Sequence, residues 1–172
     1  MRSPLPVLAF FLLCASLSAQ KMPWESDSSA ASKEGAQPQS VEYLFPEQVS
    51  VPAGKDAVVE LHFRVKPGMH INSHQPREKG LIPTQLIVAE GGPGSGTVDV
   101  SAVDFPSGGD FSLPSMPSEK LSVYTGEFVL RAHIHANAGD HMLEAALRYQ
   151  ACDDRSCYPP RKAPVAVNIM AR

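Results

Sequence analysis

The sequence predicts an all-β fold, an antiparallel sandwich of about eight short strands, and three observations predict it. Apolar side chains recur at every second position over long stretches between residues 41 and 170, the period that buries one face of a strand. With 16 Pro and 12 Gly among 172 residues, the chain is cut into short segments that disfavour a helical bundle. No ten-residue window carries a helical stripe of apolar side chains.

At the amino terminus, Arg2 precedes an apolar run from Leu5 to Ala15 broken by Pro6, and Ser16, Ser18 and Ala19 follow. A charged start, a short apolar run and small residues form a secretory signal, assigned to residues 1–19. A spanning helix needs about 20 apolar residues. This run is too short and no later stretch comes close, so the mature chain is expected to have no transmembrane segment. Cys14 follows Leu13, where lipid attachment needs a small side chain, so no lipid anchor is expected. Residues 20–40 hold only Met22 and Trp24 as large apolar groups, too few to offset the entropy of ordering them, and are expected to form a flexible leader.

The folded domain is expected over residues 41–172. Val59, Leu61, Phe63 and Val65 alternate with Glu60, His62 and Arg64. Phe128, Leu130, Ala132 and Ile134 alternate with Val129, Arg131 and His133, and Leu143, Ala145, Leu147 and Tyr149 with Glu144, Ala146 and Arg148. Each reads as a half-buried strand. Shorter candidates are 41–45, 69–72, 84–88, 97–103 and 164–170, separated by turn clusters at Pro67-Gly68, Gly91 to Gly96 and Asn137 to Asp140. That spacing suits a sandwich of immunoglobulin type. The GGPGSG stretch lacks the Lys and Ser/Thr of a phosphate loop, precedes no helix, and is read as a hairpin connection.

A formal charge of −3, 7% aromatic residues and no dense Lys/Arg block leave no electrostatic footprint for nucleic acid or an anionic membrane surface. Removal of the signal also removes Cys14. Of the 3 cysteines, Cys152 and Cys157 then remain, in a compartment where disulfides form and persist. They flank the reversal between the strand ending near Ala151 and the last strand, where facing residues lie close enough to bond. A closed loop of about six residues removes only about 2 kcal/mol of unfolded-state entropy, so the bridge is a weak staple. At the tip of a hairpin it is also open to an incoming thiolate. Staple and exchange site both stand on the residues alone. Arg155 favours a thiolate and Asp153 and Asp154 oppose one, so no strongly acidified thiol is expected.

The run Tyr149-Gln150-Ala151-Cys152-Asp153-Asp154-Arg155-Ser156-Cys157-Tyr158-Pro159-Pro160 resembles the active-site hairpin of the amino-terminal periplasmic domain of the DsbD family of thiol:disulfide interchange proteins. Gly68 to Ser73 with Ile82-Pro83-Thr84, and Val123 to Phe128, are similar to other parts of that domain, and the likeness covers about residues 41–170. It implies an immunoglobulin-like fold and an electron relay in the periplasm. Cys157 would make the mixed disulfide with partners and Cys152 would resolve it, with no small-molecule cofactor. A membrane thiol transporter or thioredoxin-like domain would donate electrons, and periplasmic disulfide proteins would accept them. The resemblance also implies a cap loop with an aromatic side chain over the sulfurs. The matching stretch is Phe105 to Lys120, where Pro106, Gly108, Gly109, Pro114 and Pro117 argue against a long strand, and Phe111, Leu113 and Met116 are the candidate covers. Tyr149 shares parity with Leu147 and is expected in the core. The chain departs from the family in having only four residues between its cysteines, and it ends just after the sandwich, so donor and acceptor would be separate proteins.

A competing reading is a copper- or zinc-binding sandwich built on His62, His70, His74, His133, His135 and His141 with Met69, Met116 and Met142. His133 and His135 share one face of a strand, but so does any polar strand face, and no His-Glu-x-x-His or Cys-x-x-Cys spacing supports zinc. A structural sandwich with an inert disulfide is the third reading.

Overall fold

A computed structural model describes residues 39–44, 48–89 and 98–172. The expected signal segment, leader residues 20–38 and the GGPGSG stretch lie outside the described residues. Among the described residues there is no helix, and the strands are β1 (Val41–Leu44), β2 (Val49–Val51), β3 (Asp56–Val65), β4 (His70–Asn72), β5 (Gln85–Val88), β6 (Val98–Asp104), β7 (Gly109–Leu113), β8 (Met116–Tyr124), β9 (Glu127–Ala136), β10 (Gly139–Tyr149), β11 (Ala151–Cys152) and β12 (Arg161–Ala171). They form three four-stranded sheets, ordered β1-β3-β9-β6, β2-β12-β10-β5 and β11-β4-β8-β7. All pairings are antiparallel except β2 with β12.

The first two sheets make an immunoglobulin-like sandwich because their strands alternate as expected. Val59, Leu61, Phe63 and Val65 of β3 and Leu130, Ala132 and Ile134 of β9 face Leu143, Leu147 and Tyr149 of β10 and Val165, Val167 and Ile169 of β12 in one buried cluster. Each such side chain stabilises the fold by roughly 1.5–3 kcal/mol on burial, which outweighs any single surface ion pair. An aromatic chain runs from Tyr43 through Phe63 and Phe128 to Tyr124, with successive centroids 5.3, 5.4 and 4.7 Å apart. Tyr124 belongs to β8, so this chain fastens the third sheet to the sandwich.

All eight expected strands are present, within a few residues of their expected bounds, and four more bring the total among the described residues to 12. β2, β7, β8 and β11 carry too few buried apolar positions to show a period of two. The expectation of no long strand in the stretch 105–120 is corrected: β8 starts there and runs for 9 residues, including Pro117. Pro114 sits in the turn between β7 and β8, and Pro117 falls where the ladder shifts register between Phe111 and Leu113, so its missing N–H costs little there. β5 and β6, the described strands on either side of residues 91–96, belong to different sheets and do not pair.

Two glycines place the third sheet. Gly68 (φ 78°) and Gly126 (φ 60°) occupy the left-handed region at the turns into β4 and out of β8, where a side chain would strain the backbone. Gly126 also presents its carbonyl to the Val65 amide at 2.7 Å, closing the end of β3.

Candidate functional site

The strands β10 and β12 pair over their full 11-residue lengths, from Gly139 against Ala171 to Tyr149 against Arg161. At Gln150 the chain then leaves that sheet. Ala151 and Cys152 pair instead with Ile71 and His70 of β4, in the third sheet. The cysteines therefore sit on a side excursion and not on the last rungs of the β10–β12 ladder, which corrects the simple hairpin placement. Gln150 holds the junction: its side-chain amide donates to the Tyr158 carbonyl at 3.3 Å, while its side-chain oxygen accepts from Asn72 Nδ2 at 3.4 Å.

Cys152 and Cys157 face each other as an antiparallel bridge and are joined in a disulfide, with Cα atoms 4.0 Å apart. The bond is asymmetric in its surroundings. Cys152 is 2% exposed, whereas Cys157 is exposed. β11 buries the first cysteine against β4, and the second lies on the outer strand of the loop with no sheet beyond it.

The four-residue loop is ordered by one carboxylate. Asp153 accepts from the amides of Arg155 at 2.7 Å and Ser156 at 2.8 Å through Oδ1, and from the Tyr158 hydroxyl at 2.6 Å through Oδ2. Its own amide donates to the Ser156 carbonyl, and the Tyr158 amide to the Ala151 carbonyl. The Tyr158 hydrogen bond, followed by the two backbone amides, holds the Asp153 carboxyl below its ordinary pKa. The same bond holds the Tyr158 phenol above its own. Asp153 is thus committed to loop structure, a role that net charge near the sulfurs did not reveal.

His70, opposite Cys152, is 2% exposed. Phe111 of β7 tilts against its ring with centroids 4.3 Å apart. Burial pushes the imidazole below its ordinary pKa, opposed by Asp154 and then Asp153. Along this ring runs a groove of about 530 Å³ lined by Val65, Pro67, Met69, Phe111 and Asp154 among others. The β7–β8 hairpin is tied down by Arg77, which donates to Asp110 Oδ1 at 2.6 Å and to the Lys120 carbonyl at 3.1 Å. Of the three candidate covers, Phe111 packs on His70, and Met116 is 42% exposed at the hairpin tip. Tyr149 is fully buried in the core, as its parity predicts.

The histidines are dispersed. His133 pairs with Asp104 at 2.7 Å and His135 with Asp56 at 3.1 Å, across to β6 and β3. His141 contacts the Asn137 carbonyl, His62 lies 3.5 Å from Glu60, and His74 stacks on Phe105. Among the described residues no group of three His, Cys, Asp or Glu side chains is placed to hold a metal ion. Nor does any helix among them have the length and apolarity to cross a membrane. His70 was visible in the sequence only as one histidine among six; β4 is buried at all three of its positions, so no alternation singles it out, and its partner could not be read without the β4–β11 pairing.

The family model described as the amino-terminal domain of thiol:disulfide interchange protein DsbD matches residues 37–168. Among solved structures, the amino-terminal periplasmic domain of ScsB from Proteus mirabilis is similar at 16% identity and TM-score 0.47, covering 75% of this chain and 50% of that one. The chain thus spans half the length of that structure. The reduced amino-terminal domain of DsbD from Neisseria meningitidis is similar at 18% identity and TM-score 0.37, covering 66% of this chain and 78% of that one. No curated protein sequence matches the chain.

Proposed function

The chain belongs to the family of the amino-terminal domain of thiol:disulfide interchange protein DsbD, and from that premise we propose that Cys152 and Cys157 exchange electrons reversibly with partner proteins. The observation that carries this reading is the unequal burial of the two sulfurs' residues, Cys152 at 2% exposure and Cys157 open to solvent. A visiting thiol or disulfide reaches Cys157 first. Cys152 is held within bonding distance of Cys157 and away from competing partners.

The reaction runs as two displacements. With the pair reduced, the Cys157 thiolate attacks a partner disulfide, forming a mixed disulfide and releasing one partner thiolate, which takes a proton. Cys152 then loses its proton and attacks Cys157 Sγ, closing the internal disulfide and releasing the second partner sulfur as a thiol. Two electrons leave this chain and the partner is reduced. A donor dithiol reverses both steps, attacking Cys157 Sγ first.

Donor and acceptor are inferred from the family and from the export signal expected at residues 1–19. A membrane thiol transporter or a thioredoxin-like domain supplies electrons, and periplasmic disulfide proteins consume them. No small-molecule cofactor takes part. The β7–β8 hairpin, with Phe111 against His70, serves as the cap that limits access to the buried side of the disulfide. Asp153 and Tyr158 keep the loop in one shape while the bond opens and closes.

A Cys152→Ser chain incubated with a periplasmic extract is expected to accumulate partner proteins as mixed disulfides at Cys157, released by dithiothreitol. A Cys157→Ser chain is expected to trap none. Absence of any adduct in the Cys152→Ser chain, with the native bridge inert to thioredoxin-like reductants, would leave a structural staple in place of an exchange site.

A further inference from the structure

Resting on that exchange reading, we infer that His70 takes the proton from Cys152 in the resolving step, as the positioned base of the buried half of the site. Cys152 and His70 are directly opposite on β11 and β4, and facing residues of an antiparallel pair project to the same side with Cβ atoms about 4.5–5.5 Å apart. Both are 2% exposed. A thiol in such a position has little water to take its proton, yet it must become a thiolate to attack Cys157 Sγ. An imidazole beside it is the ordinary proton acceptor near neutral pH.

The ring is held for the task. Phe111 packs against it with centroids 4.3 Å apart, fixing its plane from the cap side. Desolvation pushes its pKa down, so it rests neutral and able to accept. The charged groups facing it come from every neighbouring element. Asp153 and Asp154 of the cysteine loop favour its protonated form. Arg64 and Lys66 at the end of β3, and Glu127 at the start of β9, line the same groove. Arg64 is already paired with Glu127 at 2.7 Å, which mutes both.

The step balances without a further reagent. The Cys152 proton passes to the His70 imidazole, and the thiolate sulfur bonds to Cys157 Sγ as the bond from Cys157 to the partner breaks. The electron pair leaves on the partner sulfur. The imidazolium then returns its proton to the departing thiolate or to water.

The test uses the full chain carrying Cys14→Ser, reduced, desalted and mixed with dithionitrobenzoate. Aryl thiolate is released once when Cys157 attacks and again when Cys152 resolves. A missing second release would defeat the exchange reading itself. A second release that ignores His70 would defeat only the inference.

With His70 as base, the second rate levels off above the imidazole pKa, measured on the same chain by NMR. A lone thiol instead keeps rising tenfold per pH unit through that point, toward its own pKa. His70→Phe, which retains the stack on Phe111, and His70→Gln are each expected to slow the second release by on the order of 10²-fold near pH 7 and abolish the plateau. The first release, at Cys157, is recorded in each variant, and the second is read relative to it. A second-release profile in the unaltered chain that rises straight through the imidazole pKa, or one that keeps its plateau in either variant, overturns the proposal.

Discussion

Tyr158 donates its phenolic hydrogen to Asp153 Oδ2 at 2.6 Å, across the loop that carries Cys157. The bond is strongest with Asp153 ionised and Tyr158 protonated, so its two pKa shifts mark the pH range over which it braces the loop. Asp153 has a lowered pKa in the folded chain, so its contribution is present above the ordinary carboxylate value of 3.8 and is lost as pH falls through the lower folded value. Tyr158 has a raised pKa, so its contribution is present below 10.0 and is lost as pH rises through the higher folded value. Asp153→Ala is expected to return the Tyr158 phenol toward 10.0, read by ultraviolet titration of the phenolate against the unaltered chain. An unchanged Tyr158 titration would show that the carboxylate does not govern the loop.

Reduction of the disulfide is expected to leave the sandwich folded. The bridge closes a loop with a sequence separation of 5. Its loss removes about 2 kcal/mol, while the core cluster and the β10–β12 ladder are untouched. Urea unfolding of the oxidised and reduced chains should give two cooperative transitions separated by that amount. Collapse of the reduced chain to an unfolded baseline would mean that the bridge is structural.

Phe111→Ala is expected to expose the buried side of the site. Phe111 is half-buried, so its loss costs about 1–3 kcal/mol, below the 3–5 typical of a fully buried Phe. The disulfide should be reduced faster by a small dithiol, because the hairpin no longer rests on His70. Equal reduction rates in the two chains would place the cap elsewhere.

Gly108→Ala tests the seat of the same hairpin. A Cβ at Gly108 would fall 2.2 Å from Ser122 Oγ and 2.7 Å from Ser73 Cβ. Those two hydroxyls are buried and 2.9 Å apart, leaving no room to yield. Overpacking of this kind costs typically 1–3 kcal/mol. The thermal midpoint should drop and dithiol reduction should quicken, as for Phe111→Ala. Ser122→Gly in the same chain should recover part of both.

The strands of the sandwich were legible because each buries one face: Leu61, Leu130 and Leu147 stand at the inward positions that their period of two requires. The hairpin of β7 and β8 was hidden because most of its residues are exposed and its prolines sit in a turn and a register shift, so neither periodicity nor composition marks it. The cysteine pair was legible from spacing and the neighbouring Tyr-Gln and Pro-Pro residues. What was not legible was the change of sheet at Gln150, and that change decides the rest. It buries Cys152, sets His70 opposite it and turns Asp153 into the brace of the loop, none of which follows from local sequence.

The parting of the chain at Gln150 also governs how mechanical load travels. While a partner hangs covalently from Cys157, thermal tugging enters at the loop and reaches the sandwich at Tyr149 and Arg161, along the axes of β10 and β12. Because both strands take the load at the same end, a pull along them falls on their bonds to the outer neighbours β2 and β5, and the eleven-residue ladder between them is left unsheared. The braced loop can therefore part from its visitor while the body of the domain stays closed.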